Sequence, residues 1–234
     1  MEKKRLSKAL AAAGIASRRA CEEIIFEGRV QVNGETVRVP QTMVDLETDR
    51  VQVDGSAVKN EQKKVCYLFN KPPGVICSNA RIGKKPIVLD FFPSNQARLF
   101  TVGRLDKDSE GLILVTNDGH FANEVIHPSA GITKEYLVKT LHEITPEHLK
   151  SLSKGARVDE KWVRPVSVKK VRKGTFRISI REGKKHEVRI IAERSGLKVI
   201  ELKRIRIGGL MLGTLPVGKY RPLTKADKQG IFSR

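Results

Sequence analysis

The amino-acid sequence predicts an α+β protein whose larger part is built on a mixed, mainly antiparallel sheet with flanking helices. Short β-type runs outnumber helical segments over most of the 234 residues, and they do not alternate strictly with helices as a doubly wound fold requires. The first 60 residues have a different pattern, in which two helices precede a hairpin. We therefore predict two domains, a small one over 1–60 and a larger one over 61–234.

Two short helices are predicted at the start of the small domain. Apolar residues at helical spacing predict a first helix over 5–13, which Gly14 ends. Ser17 is a suitable N-cap for a second helix that runs to Glu27, and Gly28 follows as its C-terminal stop. Each helix would bury one apolar face and leave basic side chains on the other.

A hairpin and a linker are predicted to complete the small domain. Apolar and polar residues alternate up to Asn33-Gly34, the dipeptide most typical of a two-residue hairpin turn, and the chain returns through 36–39. A further short strand is predicted at 51–53. The stretch 56–64 is polar and aperiodic, so we interpret it as the linker to the larger domain.

The larger domain is predicted from alternating β-type runs and a few amphipathic helices. Strands are predicted at Val65–Phe69, Gly111–Thr116, Tyr136–Leu141, Phe176–Ile180 and Val199–Leu202. Helices are predicted at His120–Ile126 after Asp118, from Pro146 after the N-cap Thr145, and at His186–Ser195. This order of elements is the basis of the α+β prediction.

The charge balance indicates a polyanionic partner. The chain has 45 Lys and Arg residues against 26 Asp and Glu residues, which leaves a net charge of +19. Residues 161–234 alone contain 21 basic and 5 acidic side chains. These are interleaved with Val, Ile and Leu, so they predict a basic face on folded elements, with a disordered basic tail as the alternative. A nucleic acid is the partner that such a face favours.

The spacing of the cysteines and the lengths of the apolar runs predict the cellular location of the protein. Cys21, Cys66 and Cys77 have no CxxC spacing, and an odd number of thiols makes no disulfide framework, so a reducing environment is predicted. No apolar run approaches the roughly 18 residues that span a bilayer, and the start of the chain lacks the apolar segment of a signal peptide. We therefore predict a cytoplasmic protein without membrane segments.

The segment Gly103–Gly119, GRLDKDSEGLILVTNDG, is the strongest candidate site. Its polar loop contains Asp106 and Asp108 and leads into a buried strand, an arrangement that presents a carboxylate at a rigid edge. A solvated, Asp-rich turn is the alternative interpretation. We predict no metal site, because His120 and His127 are seven residues apart and no cysteine lies near them in the sequence.

This segment resembles, nearly residue for residue, the catalytic loop of the ribosomal RNA pseudouridine synthases of the RsuA and RluB type, which reads GRLDxDSxGLLLLTNDG. The resemblance extends to NKPPGV at 70–75, KEYLV at 134–138, EGKKHEVR at 182–189, and the closing VIELKR and GKYRPLT. The stretch from RLSKALAAAGIASRRACEEII to GRVQVNG resembles the small S4-like (alpha-L) RNA-binding domain. The resemblance implies an S4-like domain over 1–60 and a pseudouridine synthase catalytic domain over 61–234.

The resemblance also implies an activity. A uridine of ribosomal RNA would be isomerised to pseudouridine: its glycosidic bond breaks, the base turns and C5 joins the sugar, without cofactor or redox change. The segments SRRACEEII and EGRVQVNG resemble the enzymes that act on the large ribosomal subunit more closely than those that act on the small one. A non-catalytic RNA-binding assembly factor on the same fold is the alternative, and a metal-dependent nuclease or phosphotransferase using two Asp residues is a third hypothesis.

The resemblance implies roles for individual residues. Asp106 matches the catalytic aspartate, which acts as a nucleophile or stabilises positive charge at the anomeric carbon. Tyr136 is expected to pack against the flipped base, although a strand tyrosine also commonly fills a core. Arg189 is expected to pair with Asp106 and keep it ionised. Arg104 is expected to reach the RNA where the flipped uridine leaves a gap, and Leu202 to line the pocket.

One departure from the family wording lies beside Arg189. Many members read EGRNRQVRRMF where this chain reads EGKKHEVRIIA, so His186, Glu187 and Ile190 change its surroundings. In the small domain, clustered cations are expected to bind RNA, namely Lys4, Arg5, Lys8, Arg18 and Arg19. We predict a monomer that binds ribosomal RNA and needs no small-molecule cofactor and no metal.

Overall fold

The computed structural model of the protein describes residues 3–59, 61–81, 83–93 and 97–233. These residues form two compact units. The small unit contains the described residues up to Val65, together with short segments at Arg98 and Asn117–Gly119, and the large unit contains the rest. Among these residues, the structure has no helix that is long and apolar enough to cross a membrane.

The small unit contains the two predicted helices, α1 (Leu6–Ala12) and α2 (Arg18–Phe26), which pack against each other. The side chain of Ser17 accepts a hydrogen bond from the backbone N–H of Ala20 at 3.1 Å, which confirms it as the N-cap of α2. The core beneath the helices is apolar and fully shielded from water, and it contains Leu6, Leu10, Cys21, Ile25, Val30 and Val44. Both helices are therefore held by one buried face each.

Six short strands complete the small unit: β1 (Lys4–Arg5), β2 (Val30–Val32), β3 (Glu35–Val37), β4 (Met43–Val44), β5 (Val51–Val53) and β6 (Ser56–Ala57). Four of them form a sheet of order β3-β2-β5-β6, and β1 pairs with β4. Asn33 opens the predicted hairpin turn with a φ of 54°. The linker prediction is wrong at β6, because Asp54 has a φ of 49° and opens a second hairpin turn, Asp54-Gly55, that returns the chain along β5.

The large unit contains β7 (Cys66–Lys71), β8 (Phe100–Val102), β9 (Glu110–Thr116), β10 (Lys134–Thr140), β11 (Ala156–Val158), β12 (Lys161–Val163), β13 (Ser167–Arg172), β14 (Thr175–Ile180), β15 (Val199–Ile207), β16 (Leu210–Met211) and β17 (Tyr220–Pro222). Nine of these strands form one sheet with the order β13-β14-β10-β15-β9-β7-β17, in which β8 joins β9 and β16 joins β15. The β9–β15 pair is parallel and the other pairs described in this sheet are antiparallel. The mixed, mainly antiparallel sheet is thus confirmed.

Four helices flank this sheet: α3 (Gly119–Ile126), α4 (Pro146–Lys154), α5 (Glu187–Arg194) and α6 (Lys225–Phe232). For α3, α4 and α5, each end that was predicted lies within about one residue of the observed end. The side chain of Thr145 caps α4, as expected. Residues from the middle of the sheet, α3 and α6 share one core, which includes Leu68, Leu112, Leu114, Phe121, Val125, Ile207 and Ile231. At one end of the sheet, the edge strand β13 carries exposed cations, Lys169, Lys170 and Arg172.

Candidate active site

The candidate active site is built on the loop Gly103–Ser109, which joins β8 to β9. Gly103 leaves β8 with a φ of 72°, a conformation that glycine adopts without steric cost. The side chain of Asp106 is 33% exposed, so its carboxylate is accessible although the loop is held on both sides. The backbone N–H of Ser109 donates to the carbonyl of Asp106 at 3.1 Å, and this turn leads directly into the buried strand. The loop therefore presents a carboxylate at the edge of a rigid sheet.

Lys71 anchors this loop from below. Its side chain is fully buried, and its ammonium donates hydrogen bonds to the carbonyl oxygens of Pro72 (3.0 Å), Lys107 (3.2 Å) and Ser109 (2.6 Å). Burial lowers the pKa of Lys71, and the nearby Asp106, Asp108 and Glu110 carboxylates counteract that shift. This lysine belongs to the segment NKPPGV, which resembles the synthase family, but the resemblance assigns it no role. The structure shows that it fixes the loop that contains Asp106.

Tyr136 and Arg204 lie opposite each other on β10 and β15, with side chains on the same face of the sheet. Tyr136 is 7% exposed, which is compatible with both interpretations of this residue. The Arg204 guanidinium is buried and its Nε donates to the carbonyl of Leu112 at 2.7 Å. Its Nη2 has no hydrogen-bond partner among the residues that the structure describes. Leu202 lies on the same face as Tyr136, buried and paired with Val138.

The parallel junction between β9 and β15 requires a glycine. Gly111 has a φ of 105°, and a Cβ at this position would lie 2.3 Å from the carbonyl oxygen of Arg204. Such a contact is impossible without moving one of the strands, so the two backbones can approach only at glycine. This close approach brings Arg204 within reach of the strand that follows the Asp106 loop. The segment EGLILV could have revealed the site, because an isolated glycine in a buried strand marks close backbone approach.

The expected ion pair between Asp106 and Arg189 is not formed. In the described structure, the Arg189 Nη2 donates to the carbonyl oxygen of Asp108 at 3.2 Å. The imidazole Nε2 of His186 is the group beside the carboxylate, 3.5 Å from Asp106 Oδ1. The reason is the start of α5: His186 has a φ of 56°, which turns it toward the loop, whereas Arg189 lies almost one helical turn further on. Arg189 still contacts the Asp106 loop, but through the backbone.

Glu187 is a buried carboxyl in the first turn of α5. It is 2% exposed, and one oxygen accepts a hydrogen bond from the backbone N–H of Lys184 at 2.8 Å. Its Oε1 has no partner within the described part of the chain. Burial raises the pKa of Glu187, and the hydrogen bond from Lys184 counteracts only part of that shift. The raised pKa extends the protonated form of this carboxyl group to higher pH. A protonated glutamate has nearly the same shape as the glutamine that many family members have at this position.

Glu187→Gln is expected to remove a pH dependence of stability. Because the folded-state pKa lies above the reference value of 4.5, Glu187 stabilises the fold below that value and loses this contribution as the pH rises through the folded-state pKa. The melting temperature of the variant should equal that of the wild type near pH 4 and exceed it near pH 8. Thermal unfolding at both pH values measures this, with the exposed Glu193→Gln as a control on the same helix. A variant that melts below the wild type at pH 8 would contradict the expectation.

The remaining candidate residues lie on exposed surfaces. Arg104 is exposed at the start of the Asp106 loop, next to the buried Leu105. In the small unit, Lys8 and Arg19 are exposed on the two helices and Arg18 pairs with Glu22 at 3.4 Å. Arg5 was expected at the start of the first helix, but Lys4 and Arg5 form β1, because the backbone there pairs with Met43–Val44. Lys4 also forms an ion pair with Glu61, which neutralises part of its charge.

Three further observations concern ligands and thiols. No group of three or more His, Cys, Asp or Glu side chains in the described ranges could hold a metal ion. Cys21 and Cys77 are free thiols. The Cys77 sulfur accepts a hydrogen bond from the backbone N–H of Leu105 at 3.3 Å, and burial raises the pKa of this thiol. Cys77 therefore contributes a second, weaker anchor for the Asp106 loop.

Both parts of the chain are similar to known proteins. The family described as RNA pseudouridylate synthase matches residues 65–194, and the S4 domain matches residues 4–51. A solved structure entitled "Crystal structure of pseudouridylate synthase" superposes with a TM-score of 0.71 at 28% identity and covers 97% of this chain and 99% of its own. The two matched regions correspond to the two parts of the chain, and the larger one contains the Asp106 loop, Tyr136 and Arg189.

Several proteins are similar over almost the whole chain. Ribosomal large subunit pseudouridine synthase B of Bacillus subtilis is 38% identical over 94% of this chain and 92% of its own length. Dual-specificity RNA pseudouridine synthase RluF of Escherichia coli is 32% identical over 97% of this chain and 78% of its own. A chloroplastic protein of Arabidopsis thaliana, described as a putative ribosomal large subunit pseudouridine synthase, is 41% identical over 97% of this chain, which spans 60% of that relative's length. The chain therefore belongs to the RNA pseudouridylate synthase family and carries an S4 domain ahead of the synthase region.

Proposed function

We propose that this protein converts a specific uridine of ribosomal RNA to pseudouridine. The observation that carries the proposal is the loop Gly103–Ser109, which holds the Asp106 carboxylate accessible, beside His186, and anchored by Lys71. A fixed carboxylate in a chain of net charge +19 suits a reaction at the sugar of a polyanion. The names of the Bacillus and Escherichia relatives support RNA as the substrate class, and the former supports the large subunit.

The proposed reaction is an isomerisation. The bond between N1 of uracil and C1′ of the ribose breaks, the base turns, and a bond between C5 and C1′ forms. C5 loses a proton and N1 gains one, so neither a redox change nor a cofactor is part of the proposal. Asp106 acts as a nucleophile or stabilises positive charge at C1′, and both roles require its ionised form. The imidazole Nε2 of His186 lies 3.5 Å from Asp106 Oδ1, so this side chain borders the proposed reaction centre.

Tyr136, Arg189, Leu202 and Arg104 complete the proposed site. We assign Tyr136 to packing against the flipped uracil and Leu202 to the same apolar wall, which the shared face of β10 and β15 supports. Arg189 would fix the loop through the carbonyl of Asp108. Arg104, exposed at the start of the loop, would enter the gap that the flipped nucleotide leaves in the RNA.

We further propose a division of the chain into an S4-like RNA-binding domain over 1–60 and a catalytic domain over 61–234. The matches at residues 4–51 and 65–194 support it. A single copy contains every residue assigned to the site, so the proposal requires no oligomer. A cytoplasmic location remains a prediction, and the Arabidopsis relative is described as chloroplastic.

Mapping of pseudouridine across both ribosomal RNAs tests the proposed function. Cells that lack the gene are expected to lose one site, or a few neighbouring sites, and to regain them when the wild-type gene returns. A loss in the large-subunit RNA would support the preferred subunit. An unchanged pseudouridine map in both RNAs would overturn the proposal, and a loss restricted to the small subunit would overturn the assignment to the large one.

The exposed cations of α1 and α2 are expected to add RNA affinity. Lys8→Gln with Arg19→Gln removes two charges from exposed positions, so the fold should persist while binding weakens. Each lost phosphate contact should reduce the slope of log affinity against log salt by about 0.7 for single-stranded RNA. Titrations at several salt concentrations measure the slope, with Arg50→Gln and Lys59→Gln as a two-charge control outside both helices. Equal slopes for the variant and wild type would refute this RNA face.

A further inference from the structure

Trp162, the single tryptophan of the chain, lies on the surface of the large unit. Trp162 is 61% exposed to solvent, and aromatic residues make up only 5% of the sequence. Burial of an indole is strongly favourable, so such exposure requires an explanation when the ring is also held in place. The proposed reaction assigns no role to Trp162.

The hairpin β11–β12 fixes the direction of this ring. Its inner face is apolar and buried, with Ala156, Val158 and Val163. Trp162 belongs to the outer face, where it lies directly opposite Arg157. The indole Nε1 donates to the carbonyl oxygen of Lys154 at 3.0 Å, which restrains the ring although it remains exposed. The hairpin therefore presents a rigid aromatic side chain with a guanidinium beside it.

The charges around the ring favour a polyanion. The segment 154–164 contains four cations, Lys154, Arg157, Lys161 and Arg164, and two carboxylates, Asp159 and Glu160. Both carboxylates lie in the turn between the strands, at the tip of the hairpin. A cleft of about 390 Å³ begins at the other end of β12, and its lining includes Arg164, Arg181 and the carboxylate of Glu182. Arg157 thus lies beside the ring, and Lys154 and Arg164 lie at the end of the hairpin away from its acidic tip.

The hairpin is connected to the Asp106 loop by a short series of contacts. The strand β11 packs against α5, and the Lys184 ammonium donates to the carbonyl oxygen of Val158 at 2.9 Å. Lys184 is two residues from His186, whose imidazole lies 3.5 Å from Asp106. Two residues span at most about 7 Å of chain. The hairpin and the Asp106 loop therefore both adjoin the start of α5.

We propose that Trp162 and Arg157 form a stacking platform for an unpaired base of the RNA, close in sequence to the target uridine. The proposal rests on the proposed function, and it adds a contact to a nucleotide other than the one that reacts. A base stacks on an indole regardless of its identity, and a neighbouring guanidinium contributes its charge to the adjacent phosphate. Such a platform would hold single-stranded RNA on the flank of the site.

Because the chain has one tryptophan, its fluorescence tests the platform directly. The full-length protein is titrated with an oligouridylate of about 12 nucleotides, and with inorganic polyphosphate of similar charge as a probe without bases. Stacking is expected to quench the fluorescence with the oligouridylate alone, while polyphosphate binds without quenching. Equal effects of the two probes, or no quenching when anisotropy of a labelled oligouridylate shows saturation, would overturn the proposal.

Variants separate the ring from its hydrogen bond. Trp162→Ala should weaken binding of the oligouridylate by between about fivefold and 150-fold, the range that one stacked base provides. Trp162→Phe also loses the bond to Lys154 but keeps a ring, so it should retain most of the affinity. Arg157→Gln should weaken binding less than Trp162→Ala. If Trp162→Phe binds as poorly as Trp162→Ala while both melt like the wild type, the platform is wrong.

A third measurement keeps this proposal distinct from the proposed function. Pseudouridine formation in a fragment of large-subunit ribosomal RNA is followed with enzyme in large excess. Trp162→Ala is expected to reach the wild-type rate at saturation and to fall below it at limiting enzyme, because the ring does not contact the reacting atoms. Absence of product with the wild type would overturn the proposed function, whereas quenching by oligouridylate would still support the platform.

Discussion

Asp106→Asn is expected to lower the rate of pseudouridine formation by about 10⁴-fold or more while RNA affinity stays within about twofold of wild type. The substitution keeps the size and shape of the side chain and removes only its charge. Both proposed roles of Asp106, nucleophile and stabiliser of positive charge at C1′, depend on that charge. The side chain is one-third exposed, so an amide costs the fold little.

Single-turnover kinetics with saturating enzyme measure this loss without interference from product release. Asp108→Asn is the matched control, because Asp108 is exposed on the same loop and only its carbonyl contacts Arg189. That variant should react at close to the wild-type rate. Substantial product from Asp106→Asn, or an equal loss in both variants, would remove Asp106 from its assigned role.

Lys71→Met is expected to produce the second-largest effect, on both stability and rate. Methionine is similar to lysine in length, but it leaves the carbonyls of Pro72, Lys107 and Ser109 without their donor. We expect the free energy of unfolding to fall by about 3 kcal/mol, because hydrogen bonds from a charged group contribute about 1.5–3 kcal/mol each and repacking recovers part of the loss. The single-turnover rate should fall at least about tenfold, since misplacement of a reacting group by about 1 Å is costly.

Chemical denaturation and single-turnover kinetics give the two quantities. Lys107→Met is a suitable control, since it removes the same charge from the Asp106 loop and leaves the backbone carbonyl in place. The control should change neither quantity by more than experimental error. A Lys71→Met protein with wild-type rate and stability would show that the loop does not need this anchor.

Features encoded in neighbouring residues were predictable from the sequence. The N-cap Ser17, the Asn33-Gly34 turn and the apolar face of α5 are all patterns within a few residues, and the structure confirms them. The Asp106 loop was noticeable because its carboxylates directly precede the buried run of β9, but that pattern also fits a solvated turn. Local patterns therefore gave the fold class, and the resemblance to the synthase motif gave the position of the candidate site.

Features that depend on distant contacts were not predictable. A lysine is normally exposed, and nothing near Lys71 in the sequence indicates that its ammonium meets carbonyls from residues 107 and 109. The predicted ion pair between Asp106 and Arg189 is wrong, because the direction of α5 after His186 determines which side chain reaches the carboxylate. The helix α6 was missed although Thr224 and Asp227 form its capping box, a signal present in the sequence.

The open edge at β13 sets a condition for handling the protein. An unpaired strand edge can pair with the edge of another molecule, and here the exposed Lys169 and Arg172 oppose such pairing by repelling the same residues of a second copy. That repulsion acts over the Debye length, about 10 Å at 0.1 M salt but only about 3 Å at 1 M. High salt, the usual means of stripping RNA from a basic protein, therefore also weakens the electrostatic barrier that keeps two copies of this edge apart.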